Sequence, residues 1–130
     1  MCYKSLIQNL AVSETGFDQE ISQSIFQSLK YNQQIYKLDL SNNPLTGAND
    51  FLLQGLGVQN GTLVKLNLAH CVLGDSSTKA LLSGLIMKQK PSLKVLNLRA
   101  NMLSDKLAQT FHDYLNSYYF RLKELDLSYN

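Results

Sequence analysis

Few residues in this chain could carry chemistry, and they do not converge. The sequence of 130 residues holds two histidines, His70 and His112, and two cysteines, Cys2 and Cys71. Cys71 beside His70 suggests a thiol with a neighbouring base, but an activated thiolate needs a cation partner and none is evident. Cys71 is better read as a small buried apolar residue with a weak S–H donor. The spacing of His70 and His112 matches no common zinc pattern. Asp39 and Asp126 occupy equivalent positions of two similar segments and raise the possibility of paired carboxylates. No phosphate-binding G-x-x-x-x-G-K-[ST] or G-x-G-x-x-G occurs, and there is no G-x-S-x-G elbow. The expectation is no catalytic residue, no metal or cofactor set, and therefore no enzyme.

The elements that would position these residues emerge from self-comparison. Ile35-Tyr-Lys-Leu38-Asp-Leu40-Ser-Asn-Asn43-Pro-Leu45 aligns with Leu63-Val-Lys-Leu66-Asn-Leu68-Ala-His-Cys71-Val-Leu73 at every aliphatic position. Further copies begin at Leu93 and Leu122, and a degenerate one at Ile7, where Thr15 takes the place of Asn or Cys. The starts are separated by 28, 28, 30 and 29 residues. Within each copy, pairs such as Leu38 and Leu40 alternate with polar residues, the period of a half-buried strand. Asp18, Thr46, Gly74-Asp75 and Ser104-Asp105 then suit helix starts, and apolar residues follow at helical spacing: Ile21, Ile25 and Leu29; Thr78, Leu81, Leu82 and Leu85; Leu107, Phe111, Tyr114 and Leu115. Each unit is strand, turn, helix and return. Stacked units share one core, with a parallel sheet on the inner side. Asp39 and Asp126 would then stand two intervening strands apart, about 14 Å, too far for glycosidase-type pairing.

These segments resemble the leucine-rich repeat family, whose consensus is L-x-x-L-x-L-x-x-N/C-x-L. Repeat length and the mixture of Asn and Cys at the ninth position are similar to the ribonuclease-inhibitor-like subtype. The resemblance implies an α/β solenoid, a curved right-handed superhelix with parallel strands on the concave face and helices on the convex face. It also implies protein recognition, as a binding module or, alternatively, as a regulator of an enzyme such as a ribonuclease-inhibitor-like inhibitor or a GTPase-activating protein. Asn43, Asn101 and Asn130 are expected to turn their amides into the stack and satisfy backbone groups of the turn. Gly55 and Gly57 interrupt the helix of the second repeat, which is expected to be the weakest.

Alternation places the exposed side of the sheet in columns. One holds Asn9, Lys37, Lys65, Val95 and Glu124; the next holds Ala11, Asp39, Asn67, Asn97 and Asp126; a third holds Ser13, Ser41, Ala69, Arg99 and Ser128, with Glu14, Asn42, His70, Ala100 and Tyr129 beyond. The expected protein-binding residues are Tyr36, Lys37, Asp39, Lys65, Asn67, Asn97, Arg99, Asp126 and Tyr129. Lys37, Lys65 and Arg99 would serve as charge-assisted donors, and Tyr36 and Tyr129 as amphipathic contacts at the rim.

A formal charge of +2 and a pI near 8.5 are too mild to select nucleic acid or an anionic membrane. The apolar cluster from Leu81 to Met87 falls well short of the roughly 20 residues that span a bilayer. Two unclustered cysteines fit a reducing compartment, so a cytoplasmic or nuclear site is expected. Asn60-Gly61-Thr62 is a chance match to a glycosylation sequon, and Tyr118-Tyr119-Phe120 either seals a turn or forms an aromatic patch. The array reads as a single domain over 1–130 whose last repeat is incomplete, a fragment of a longer protein, with self-association possible through its uncapped ends.

Overall fold

The computed structural model describes residues 7–16, 19–45, 50–88, 90–118 and 120–130. Cys2, Asp18, Thr46 and Tyr119, all named above, lie outside them. Five strands form one parallel sheet in chain order: β1 (Asn9–Ala11), β2 (Lys37–Asp39), β3 (Lys65–Asn67), β4 (Val95–Asn97) and β5 (Glu124–Asp126). Between them run α1 (Gln19–Tyr31), α2 (Asp50–Gln59), α3 (Gly74–Met87) and α4 (Ala108–Leu115), the last preceded by a 3-10 turn at Asp105–Leu107.

Pairing register is the same at every step, so Leu10, Leu38, Leu66, Leu96 and Leu125 form one row across the sheet. Leu38, Leu66 and Leu96 are at most 2% exposed, and Leu40, Leu68 and Leu98 at most 1%. The repeated leucines are therefore the core. Each full burial contributes roughly 1.5–3 kcal/mol, shared between neighbouring repeats. Helices pack 8–10 Å apart, against about 4.8 Å between strands, so the stack bends with its strands inward.

Backbone hydrogen bonds carry the ladder past the ends of these short strands. Before each strand, Tyr36 N–H donates to Gln8 O, Val64 to Tyr36, Lys94 to Val64 and Lys123 to Lys94. Beyond it, Glu14 donates to Ser41 O, Asn42 to Ala69, His70 to Arg99 and Ala100 to Ser128. Those four donors and Tyr129 hold φ between 51° and 59°, in the left-handed region. The excursion turns the chain toward the helix while keeping each N–H aimed at the next repeat. Asn tolerates it well, the others less so.

The helices refine two of the sequence expectations. Gly57 is dictated by packing: a Cβ there would stand 2.9 Å from Leu81 O, Gly84 C and Leu85 N, so α2 and α3 touch backbone to backbone. The missing side chain that lowers intrinsic helix propensity is what permits this contact. At the start of α3, Asp75 does not cap its own helix. No side chain caps that N-terminus, and Asp75 instead accepts from Ser104, by N–H at 2.8 Å and by hydroxyl at 2.5 Å, linking successive repeats. Ser104 does cap the 3-10 turn, accepting from Lys106 N–H at 3.3 Å. Phe120 meets the buried Tyr114 ring edge-on, centroids 5.3 Å apart, and so closes the return to β5, whereas Tyr118 is exposed.

Candidate functional site: the strand face

The turn that follows each strand is held by two sets of side chains. Asn43, fully buried, donates its amide to Val12 O at 2.6 Å and Leu40 O at 3.0 Å, and accepts from Thr15 N–H at 2.9 Å. Asn101, also fully buried, donates to Leu68 O at 2.7 Å and accepts from Cys71 and Leu73 N–H at 3.1 and 3.2 Å. Asn130 repeats the pattern on Leu98 O, Asn101 N–H and Leu103 N–H. One amide thus satisfies backbone donors and acceptors in two adjacent repeats, as its position in the sequence suggested. Cys71 takes the same place with less capacity: its Sγ lies 3.2 Å from Leu40 O. Burial chiefly pushes its thiol up to about 11, the opposite of what a nucleophile requires.

The second set was missed in the sequence. Asp39, Asn67, Asn97 and Asp126 each accept, through a side-chain oxygen, the N–H of the residue two places on, at 2.9, 3.1, 2.9 and 2.9 Å. These are Asx turns, and they account for Asp or Asn at this position in β2 to β5, where β1 has Ala11. Burial is the largest influence on the Asp39 carboxyl and acts to raise its pKa, but hydrogen bonds from the Ser41 hydroxyl and amide and from Asn67 together hold it below the usual 3.8. Asp126 is lowered by the Ser128 hydroxyl, then the Ser128 amide, with a smaller attraction to Arg99. Four of the expected binding residues therefore also shape the turn.

A further asparagine, Asn60, works at the other end of the strands, between the end of α2 and the start of β3. At 2% exposure it donates to Leu29 O at 2.8 Å and accepts from Thr62 and Leu63 N–H. Asn32 does the same for Gln34 and Ile35 N–H one repeat earlier. The apparent sequon is thus a buried structural bracket, and its recurrence at a 28-residue interval was the signal available in the sequence.

With the turns accounted for, the open part of the face can be described. Lys37, Asp39, Lys65, Asn67 and Asn97 line a shallow groove of about 410 Å³, together with Asn9, Ala11 and Val95. Arg99 and Tyr129 form a separate cluster near Asp126, the guanidinium carbon 4.1 Å from the ring centroid. Tyr36 lies against Lys37, whose Nζ is 5.4 Å from its ring centroid. The sequence singled out Lys37 and Lys65 but passed over Lys94 and Lys123. These two lysines sit in the preceding column, which the backbone bonds from Val64 to Lys94 to Lys123 put beside them. A second depression, of about 440 Å³, lies between β1 and α1 and is lined by Leu10, Ile21, Ile25, Leu29 and Ile35.

His70 and His112 are exposed and lie on a turn and on α4 respectively. Among the described residues no three His, Cys, Asp or Glu side chains group as metal ligands, and no helix is long and apolar enough to cross a membrane.

Two family models match the chain. One, described as Leucine Rich Repeat, covers residues 34–56, and the other, described as Leucine Rich repeat, covers 59–82. They fall on the second repeat and on the third with its approach, where the Leu38–Leu40 and Leu66–Leu68 pairs pack into the core. The five-stranded parallel sheet with its intervening helices is what such repeats build. Residues 34–56 and 59–82 are leucine-rich repeats, and the α/β fold of the chain is a leucine-rich repeat solenoid.

Proposed function

We propose that this chain is a non-catalytic recognition module of the ribonuclease-inhibitor-like subtype, binding a protein partner through the concave strand face. One observation carries the reading: the turns are closed by buried or internally bonded side chains, while Lys37, Lys65 and their neighbours border an open groove. A sheet fixed in this way presents variable side chains on an invariant frame, which suits recognition and limits the entropy lost on binding. The binding residues are Tyr36, Lys37, Asp39, Lys65, Asn67, Asn97, Arg99, Asp126 and Tyr129. Two cysteines without the clustered spacing of a disulfide framework suit a reducing cytoplasmic or nuclear location.

The test is affinity capture from cell lysate with the native chain and with a Lys37→Ala/Lys65→Ala/Arg99→Ala variant. Loss of specific partners in the variant is expected. Recovery of the same partners in the same amounts would refute the choice of face. Self-association through the outer edges of β1 and β5 belongs to the same proposal, and light scattering should show mass rising with concentration.

A further inference from the structure

Lys37 and Lys65 open β2 and β3, and Lys94 and Lys123 immediately precede β4 and β5, one column away. There Lys94 and Val95 N–H both donate to Val64 O, and Lys123 and Glu124 N–H both donate to Lys94 O, a bulge that interrupts the alternation of faces. The four form a slightly oblique row across the sheet. With strands about 4.8 Å apart, the row runs about 14 Å from first to last. Among the described residues no carboxylate lies within 4.0 Å of any of the four ammoniums. Glu124 is the single acid in these columns. Two residues further along the strands runs the column of Asp39, Asn67, Asn97 and Asp126, in which both carboxyls are held ionised by their turn hydrogen bonds.

Four like charges at this spacing repel one another, a cost that an arriving anion removes. We infer that the lysine row binds an acidic, extended segment of a protein partner, laid across the strands with its carboxylates on Lys37, Lys65, Lys94 and Lys123. This rests on the strand-face reading above and specifies the chemistry of the partner. An extended chain advances about 3.3 Å per residue, so about five residues span the row, and the three acids that alternate positions allow there are shared among the four lysines. The lysine stems are long enough to absorb the difference between that repeat and the strand spacing.

The neighbouring column sets the register. An acidic segment displaced toward Asp39 and Asp126 meets like charge, so those two carboxylates confine it to the lysines. The same carboxylates disfavour a nucleic acid, whose phosphates are continuous and wider than one column. The nearest aromatic ring, Tyr36, is already attended by the Lys37 ammonium and offers no free stacking platform for bases.

The probe is a short fluorescein-labelled peptide of alternating Glu and Ser, compared by anisotropy with its Gln-for-Glu counterpart and with labelled oligo-thymidylate. The native chain is expected to bind the Glu peptide, weakening as salt rises, and to bind the other two at least about tenfold more weakly. Lys37→Glu/Lys65→Glu/Lys94→Glu/Lys123→Glu should reduce binding of the Glu peptide by about tenfold or more. Should that variant lose its native circular dichroism, the fourfold Lys→Gln variant replaces it in the comparison. Asp39→Asn/Asp126→Asn retains both turn acceptors and should bind the Glu peptide more tightly. Equal affinity for the Gln peptide, tighter binding of oligo-thymidylate, or undiminished binding by a folded row variant would each overturn the inference. Lysate capture that depends on Lys37, Lys65 and Arg99 while the Glu peptide fails to bind would overturn the acidic partner and leave the strand face standing.

Discussion

Replacing Asn101 with alanine isolates what the ninth position of the repeat does. Its amide serves two carbonyls, of Leu68 and Arg99, and two amides, of Cys71 and Leu73, at 2.7 to 3.2 Å, in a site with no exposure. A net hydrogen bond is worth about 1 kcal/mol, and a buried partner left unsatisfied costs about 1–3 kcal/mol. Allowing for relaxation of the turn, the total for Asn101→Ala is about 3–5 kcal/mol. Asn130 makes the same kind of bonds but is exposed, so water replaces the lost partners and Asn130→Ala should cost only about 1 kcal/mol. Asn101→Cys should fall between, since the thiol at Cys71 occupies the same place as a weak donor to Leu40 O. Urea titration followed by far-ultraviolet circular dichroism measures all three. With a slope of about 1.5 kcal/mol/M, a loss of 3 kcal/mol lowers the midpoint by about 2 M. If Asn101→Ala and Asn130→Ala proved equally mild, the bonds inside the stack would not be holding adjacent repeats together.

Gly57→Ala should destabilise by about 1–3 kcal/mol despite the better helix propensity of alanine, because the added methyl meets α3 backbone atoms at 2.9 Å. Gly55→Ala, whose methyl has the flexible Lys30 side chain as its nearest neighbour, should be neutral or slightly stabilising, and thermal melts of the pair would reverse this order if α2 were merely a weak helix. Thr78 is fully buried with a hydroxyl that has no hydrogen-bond partner, so Thr78→Val should stabilise by about 1 kcal/mol in the urea assay. Asp39, Asp75 and Asp126 have folded pKa values below 3.8. Their contribution is complete above that value and is lost as pH falls through the lower folded values, so the melting temperature should drop in that acid range. Asp39→Asn, which keeps the turn acceptor, should flatten the drop.

The sequence disclosed most where a physical requirement recurs once per repeat in a distinctive residue. Leu38, Leu66 and Leu96 announced strand, register and core together, because period-two alternation and a 28- to 30-residue interval leave one way to stack them. Asn43 and Asn101 were legible for the same reason. Asp39 and Asn67 were recognised as a column and taken as binding residues of the strand face, but their Asx turns depend on how the chain bends after the strand, and the bend is not marked by residue type: Asn42, His70 and Ala100 share its left-handed conformation and nothing else. Gly57 misled for a different reason. Helix propensity is a local property, and the close approach of α3 is not. Lys94 and Lys123 escaped notice because they stand one column away from Lys37 and Lys65, and only the extended ladder brings them into one row.

The division of labour within the repeat determines how the face can be dissected. Asp39, Asn67, Asn97 and Asp126 each close a turn, so alanine at any of them removes a surface group and a turn acceptor together, and loss of binding would be uninterpretable. Exchange between Asp and Asn keeps the acceptor and changes only charge. Tyr129 carries a similar constraint, since its φ of 59° allows glycine or asparagine more readily than alanine. Lys37, Lys65, Lys94, Lys123 and Arg99 have no such duty in their side chains, and their substitution should report on recognition alone. On the strand-face reading proposed above, information about the partner is therefore concentrated in the columns before the Asx position and at Arg99, because these side chains can vary without opening the turn that holds the next repeat in place.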